Sequence, residues 1–183
     1  MIKFDEINKL IVFLAMVTAF SEDSQMNIMM NAPSSAGKSF IPLEIAKLFP
    51  SESVQDFHYV SPNAFFHDFA EYDEELDMKV IKLDRKILIF VDQPHPELLQ
   101  RLRPLLSHDK KILTSKIVDK NQKGGNQTKT VSIQGYPTVI FCTAHTLMDA
   151  QESTRFILLS PQIHQDKLRA SIELRIAREA RSV

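Results

Sequence analysis

Apolar residues recur along this chain in two rhythms, and the rhythm predicts the element. Phe4, Ile7, Leu10, Ile11, Leu14 and Val17 return every three or four positions, which predicts a buried amphipathic helix over residues 4–20. Met26 to Met30 is a short apolar run and reads as a strand. Asn31 to Ala36 is small, polar and contains Pro33, so it reads as a loop. Helical spacing resumes from Lys38 to Phe49 and stops before Pro50. Phe57 to Val60 reads as a second strand, and Ser61-Pro62 supplies an N-cap and first-turn pair for a helix running to about Ala70.

The acidic stretch Glu71 to Asp77 predicts a solvated turn or short helix. Ile87 to Val91 (ILIFV) is a continuous apolar run, as expected of a central parallel strand buried on both faces. Leu98 to Leu106 reads as a helix. Ile112 to Val118 and Thr128 to Ile133 read as the two strands of a long β-hairpin around KNQKGGNQ. Val139 to Cys142 and Phe156 to Leu159 read as strands. His164 to Arg181 reads as a closing helix with Leu168, Ile172, Leu174, Ile176 and Ala177 as its apolar face. Strands thus alternate with helices, which predicts an α/β fold: a central, mostly parallel sheet flanked by helices, with an inserted β-hairpin.

Composition narrows the picture. With 183 residues the expectation is one domain over residues 1–183. A formal net charge of −1 argues against a broadly basic nucleic-acid coat and leaves room for a local basic patch. The single cysteine, Cys142, excludes an internal disulfide and fits a cytoplasmic protein; in its apolar run it reads as a small core residue rather than a nucleophile. The most apolar stretch, Leu10 to Phe20, is too short to span a bilayer, and no membrane association is expected.

The strongest chemical signal is APSSAGKS, from Ala32 to Ser39. It matches the last three positions of the phosphate-loop pattern G-x-x-x-x-G-K-[ST] with Gly37, Lys38 and Ser39, while Ala32 replaces the first glycine. A predicted strand precedes it and a predicted helix follows. Such a loop, here Ala32, Pro33, Ser34, Ser35, Ala36, Gly37, Lys38, Ser39 and Phe40, is a candidate nucleotide-binding segment in which the backbone N–H groups of the non-proline residues and the helix dipole favour an anion. Lys38 would reach the β- and γ-phosphates of ATP, and the Ser39 hydroxyl would hold Mg²⁺.

Four further features surround it. Asp92, at the end of ILIFVD, is a candidate Mg²⁺ residue, or else caps the following turn. Gln93 follows it; an amide cannot accept a proton, although it can orient a water. Either hydrolysis is slow, or another carboxylate such as Glu97 substitutes, or Gln93 traps nucleotide; His95 is a further alternative. Thr143 ends the strand VIFCT, where a polar side chain can sense a γ-phosphate, with His145 and Thr146 as neighbours of similar promise. Arg155, ahead of the apolar run FILL, is either a cation offered to a neighbouring subunit's phosphate or a surface arginine paired with Glu152. Finally, Lys110 to Gln134 contains six lysines and one acid, Asp119. Lys116, Lys120 and Lys123 are therefore candidate contacts to nucleic-acid phosphates, on a hairpin that could equally be only solvated.

Taken together these residues resemble the AAA+ class of P-loop ATPases. The likeness is nearest to ring helicases of the minichromosome-maintenance type and their relatives in mobile-element primase–helicase proteins. Those families place a β-hairpin just before the sensor strand, as LTSKIVDKNQKGGNQTKTVSIQ precedes PTVIFCT here, and follow it with S-R-F and apolar residues, which here reads TRFILL. The resemblance covers roughly residues 25–160. This chain departs from it at Ala32, at Gln93 where glutamate is usual, and at Thr143 where asparagine is usual, and no small helical lid is expected within residues 1–183.

The resemblance implies an ATP- and Mg²⁺-binding motor core acting as a homo-oligomeric ring, with Arg155 working in trans and the 112–134 hairpin on DNA, as in a helicase or DNA-remodelling ATPase. The alternative is a nucleotide-binding switch or interaction module with little turnover. A small-molecule kinase is a third possibility, disfavoured by the hairpin and the TRF motif.

Overall fold

The structure is a computed structural model, and it describes residues 4–34, 36–58, 60–68, 70–119, 127–144 and 154–180. In chain order the elements are α1 (Glu6–Thr18), β1 (Ile28–Asn31), α2 (Phe40–Ala46), β2 (Val54–Phe57), α3 (Pro62–Asp68), β3 (Glu71–Asp73), β4 (Met78–Lys82), β5 (Ile87–Phe90), α4 (Pro96–Leu106), β6 (Ile112–Asp119), β7 (Gln127–Gln134), β8 (Thr138–Thr143), β9 (Ile157–Leu159) and α5 (Gln165–Glu179).

Five strands form the main sheet in the order β2-β5-β8-β1-β9. Every neighbouring pair in it is parallel. The expected α/β architecture is therefore the observed one. Alternation along each strand divides the core in two. Ile28, Met30, Ile87, Ile89, Ile140 and Cys142 face α1 and α2. Met29, Leu88, Phe90, Val139 and Phe141 face the other way, toward Phe65 and Phe66 of α3 and the leucines of α4. Both faces are covered, which is why ILIF carries no polar position.

The hairpin forms as the alternation predicts: β6 and β7 pair antiparallel from Ile112↔Gln134 to Asp119↔Gln127. It does not stand alone. A second sheet, β3-β4-β7-β6, anchors it, with β4 parallel to β7 from Lys79↔Val131 to Lys82↔Gln134. The segment Glu71 to Asp77, expected to be a turn or short helix, instead provides β3 and the turn into β4. Asp73 nucleates that turn by accepting the N–H groups of Glu75 and Leu76 at 3.1 and 3.2 Å. Strand β2 likewise lies earlier than the expected Phe57 to Val60, because pairing with β5 fixes it from Val54↔Ile87 to Phe57↔Phe90.

Two helices turn differently from the expectation. In α1 the residues at the sheet are Val12, Ala15 and Met16, with Ala19 just beyond its end. Ile7, Leu10 and Leu14 are 72%, 57% and 50% exposed. The stripe Val12, Ala15, Met16 and Ala19 packs against the sheet, which leaves Ile7, Leu10 and Leu14 on the outer side. In α5, Ile172 and Ile176 are also exposed, while Ala170 is buried. Among the described residues no helix is long and apolar enough to cross a membrane.

Candidate functional site

In open parallel sheets, ligands bind beyond the carboxyl ends of the strands. The candidate residues gather at that end here. Strand β1 is paired with β8 up to Asn31↔Thr143, and β5 flanks β8 on the other side up to Phe90↔Phe141. The three strands therefore deliver the loop after Asn31, Thr143 and the Asp92-Gln93 pair side by side, each about 5 Å from its neighbour in the sheet.

The loop leaves β1 with the Ala32 N–H donating to the Thr143 carbonyl at 3.2 Å, and a turn follows in which the Ala36 N–H reaches the Pro33 carbonyl at 3.3 Å. Ser35 lies outside the described residues. Gly37 has φ +82°, a conformation glycine adopts without strain. Ala32 is buried and is absent from the residues with positive φ, so the first position of the pattern does not need glycine here. The Gly37 and Ser39 carbonyls then accept the N–H groups of Ile41 and Leu43 as α2 begins. Among the described residues no backbone carbonyl takes the N–H of Gly37, Lys38 or Ser39. Those donors and the helix dipole behind them make this turn suited to an anion. Ser39 stands at the N-cap of α2, and its hydroxyl makes no capping bond.

Electrostatics tie the two sides of the site together. Burial pushes the Cys142 thiol up to about 12, with Lys38 pulling it down and Asp92 pushing it further up. Cys142, one residue before the end of β8, thus feels a cation from the β1 side and an anion from the β5 side. It is fully buried and packs among Ile28, Met30 and Ile140, as a core residue would. The Thr143 hydroxyl donates to Gln93 Oε1 at 3.2 Å, which links the two strands directly at their tips. Ser39 and Asp92 carry hard oxygen donors of the kind Mg²⁺ prefers; they follow the two strands that flank β8 and lie at the same end of the sheet.

Other expected participants lie elsewhere. Glu97 pairs with Arg101 along its own helix, and His95 caps α4 by accepting the Glu97 N–H at 3.2 Å. Arg155 precedes β9, whose first residue pairs with Ile28 at the start of β1. It is therefore at the opposite end of the sheet from the loop, beside Ser107, to whose hydroxyl its Nε donates. It lines a cleft with Gln25, Asn27 and His108. Lys116 is exposed on β6, just where the hairpin extends beyond the strand pairing with β4. Lys120, Lys123, His145, Thr146 and Glu152 lie outside the described residues.

Two residues at the loop were not singled out by the pattern of the sequence. Lys167, in the first turn of α5, sends its ammonium group to the Ala36 carbonyl at 3.4 Å and to the Gln162 carbonyl at 3.0 Å, and it forms an ion pair with Asp5. No local signal marks this cluster, because its members are separated by more than a hundred residues.

No family model and no curated protein matches this chain. Among solved structures it is similar to NtrX from Brucella abortus in complex with ATP, at 14% identity and a TM-score of 0.46, with 87% of this chain and 36% of that one covered. It is also similar to the apo C-terminal region of NrS-1, at 15% identity and a TM-score of 0.49, covering 90% of this chain and 38% of the other. This chain thus spans well under half the length of either protein.

Proposed function

We propose that residues 1–183 act as one ATP-binding unit, the core of an AAA+-like ATPase that works as an oligomer to unwind or remodel DNA. The observation that carries the reading is the meeting of Lys38, Asp92 and the Thr143–Gln93 pair at the carboxyl ends of three adjacent parallel strands. In this reading the N–H groups from Gly37 to Ser39 cradle the β- and γ-phosphates and Lys38 neutralises them. Ser39 and Asp92 hold Mg²⁺, which would offset phosphate charge when bound. Thr143 fixes the Gln93 carboxamide through one lone pair of Oε1; the second lone pair accepts a hydrogen bond from water and orients it without removing its proton.

Arg155 lies too far along the sheet to reach the phosphate held by its own chain, which supports a role across a subunit boundary. The distal half of the hairpin, beginning near Lys116, carries the lysines that would meet DNA phosphates.

The Thr143–Gln93 bond also favours a second reading, a nucleotide switch with little turnover, because neither residue can take a proton from water. ATP hydrolysis with and without single-stranded DNA, for the natural chain and for Gln93→Glu, separates the two. DNA-stimulated turnover in the natural chain supports the motor. Turnover gained only with Gln93→Glu supports the switch, and no turnover in either removes the motor.

A further inference from the structure

We infer that Asp5 and Lys167 form a clasp that sets the shape of the phosphate loop, which makes Lys167 a positioning residue for the nucleotide. The inference rests on the nucleotide reading for its purpose, though not for its geometry.

The Lys167 ammonium has three N–H donors. Among the described residues it forms an ion pair with the Asp5 carboxylate and donates to the Gln162 carbonyl at 3.0 Å and the Ala36 carbonyl at 3.4 Å. Its Nζ also lies 4.0 Å from where a side chain on Gly37 would begin. Lys167 therefore rests directly on the turn between Ala36 and Gly37.

Asp5 is built for this partner. Its side chain is fully buried in a chain whose other acids are mostly solvated. A buried carboxylate is costly unless it is paired and hydrogen-bonded. Asp5 Oδ1 accepts the Gln162 N–H at 2.7 Å and the Asn8 side-chain amide at 3.2 Å, while Oδ2 faces Lys167. Asp5 precedes α1 with a left-handed backbone (φ 60°) and makes no capping bond to the helix it precedes. It is turned toward residues more than 150 positions away. Asn8 reinforces the junction by donating to the Ser160 carbonyl at 2.9 Å.

The consequence for the loop follows from peptide geometry. In a planar trans peptide the C=O and the following N–H point in opposite directions. A cation holding the Ala36 carbonyl outward therefore turns the Gly37 N–H the other way. A carbonyl dipole aimed into the site would repel phosphate, whereas an N–H aimed into it attracts phosphate. Because Asp5 neutralises Lys167, the lysine acts through the loop rather than as a direct phosphate ligand. The start of α1 and the start of α5 thus grip one peptide of the loop from outside.

The test combines hydrogen exchange of residues 36–40 in the ligand-free chain with calorimetric titration of Mg²⁺·ATP. Lys167→Met is expected to speed exchange in the loop and to weaken ATP roughly tenfold, as for loss of a hydrogen bond from a charged group. Lys167→Arg keeps the cation and is expected to retain both properties. Gly135→Ala, destabilised away from the loop, controls for general loosening and is expected to move neither. If Lys167→Met does not fold, Asp5→Asn takes its place with the same expected direction. Loop exchange and ATP affinity unchanged in Lys167→Met, or changed equally by Gly135→Ala, would overturn the clasp. A loop loosened by Lys167→Met in a natural chain that binds no ATP would uphold the clasp and remove the nucleotide reading.

Discussion

Gly135 joins β7 to β8 and so carries the chain from the second sheet into the main one. Replacing it with alanine is a severe perturbation for two reasons that add. Its φ of +92° is a conformation that side chains rarely adopt. That strain costs on the order of 1–3 kcal/mol for a residue with a Cβ. A Cβ there would also lie 2.4 Å from Asp84 Cγ and 2.5 Å from the Asp84 backbone nitrogen. The carboxylate can rotate aside, but the backbone nitrogen cannot. It belongs to a turn fixed by the Leu83 N–H on the Gln134 carbonyl at 2.7 Å and by the Lys86 N–H on Leu83 at 3.2 Å. Forcing the turn outward adds about 1–3 kcal/mol of overpacking. The total is roughly 4 kcal/mol, or about 8–16 °C in a domain of this size. Gly37→Ala is the matched control: it has a comparable φ of +82° but, among the described residues, no neighbour nearer than 4.0 Å, so it should show the strain alone. Thermal unfolding followed by circular dichroism measures both. If Gly135→Ala falls no further than Gly37→Ala, the steric half of the argument is wrong.

Three other expectations follow from the geometry. Cys142, buried and with its thiol pushed up to about 12, should resist alkylation by iodoacetamide in the native chain and react after denaturation; rapid native labelling would contradict its place in the core. For Asp5, burial alone would raise the carboxyl, but the Gln162 N–H and Lys167 outweigh it and hold it below its ordinary 3.8. A depressed carboxylate stabilises the fold above its unfolded value and loses that contribution as pH falls through the folded one. The stability gap between the natural chain and Asp5→Asn should therefore be steady near neutral pH and shrink as the pH falls below about 3.8; a gap that instead widened on acidification would exclude the paired carboxylate. Finally, if the hairpin meets DNA, Lys116→Ala should lower the slope of log affinity against log salt by about one unit, and an unchanged slope would remove this lysine from the interface.

What the sequence could reveal depended on whether the determining contacts were local. The run ILIFVDQ exposes a doubly buried strand and its polar tip, because both faces are filled by the strand's own residues. GKS reveals its glycine because the turn itself demands it. The face of α1 was not legible in this way. Apolar residues surround that helix, so spacing cannot choose among them, and only packing against the sheet singles out Val12, Ala15, Met16 and Ala19. Strands β3 and β4 were hidden by the charges of Glu71 to Asp77 and by Lys79 and Lys82, although Val80 and Ile81 are buried. The Asp5–Lys167 pair could not be read at all, since it depends on the tertiary meeting of the two ends of the described chain.

The central claim is that the turn from Ala36 to Ser39 holds the phosphates of ATP with the help of Lys38. Calorimetric titration of Mg²⁺·ATP into the natural chain and into Lys38→Ala tests it most directly. The account predicts saturable binding by the natural chain, weakened about ten- to a hundredfold in the variant, the worth of a charge-assisted contact to phosphate. Equal affinity in the two proteins, or no binding by the natural chain, would contradict it.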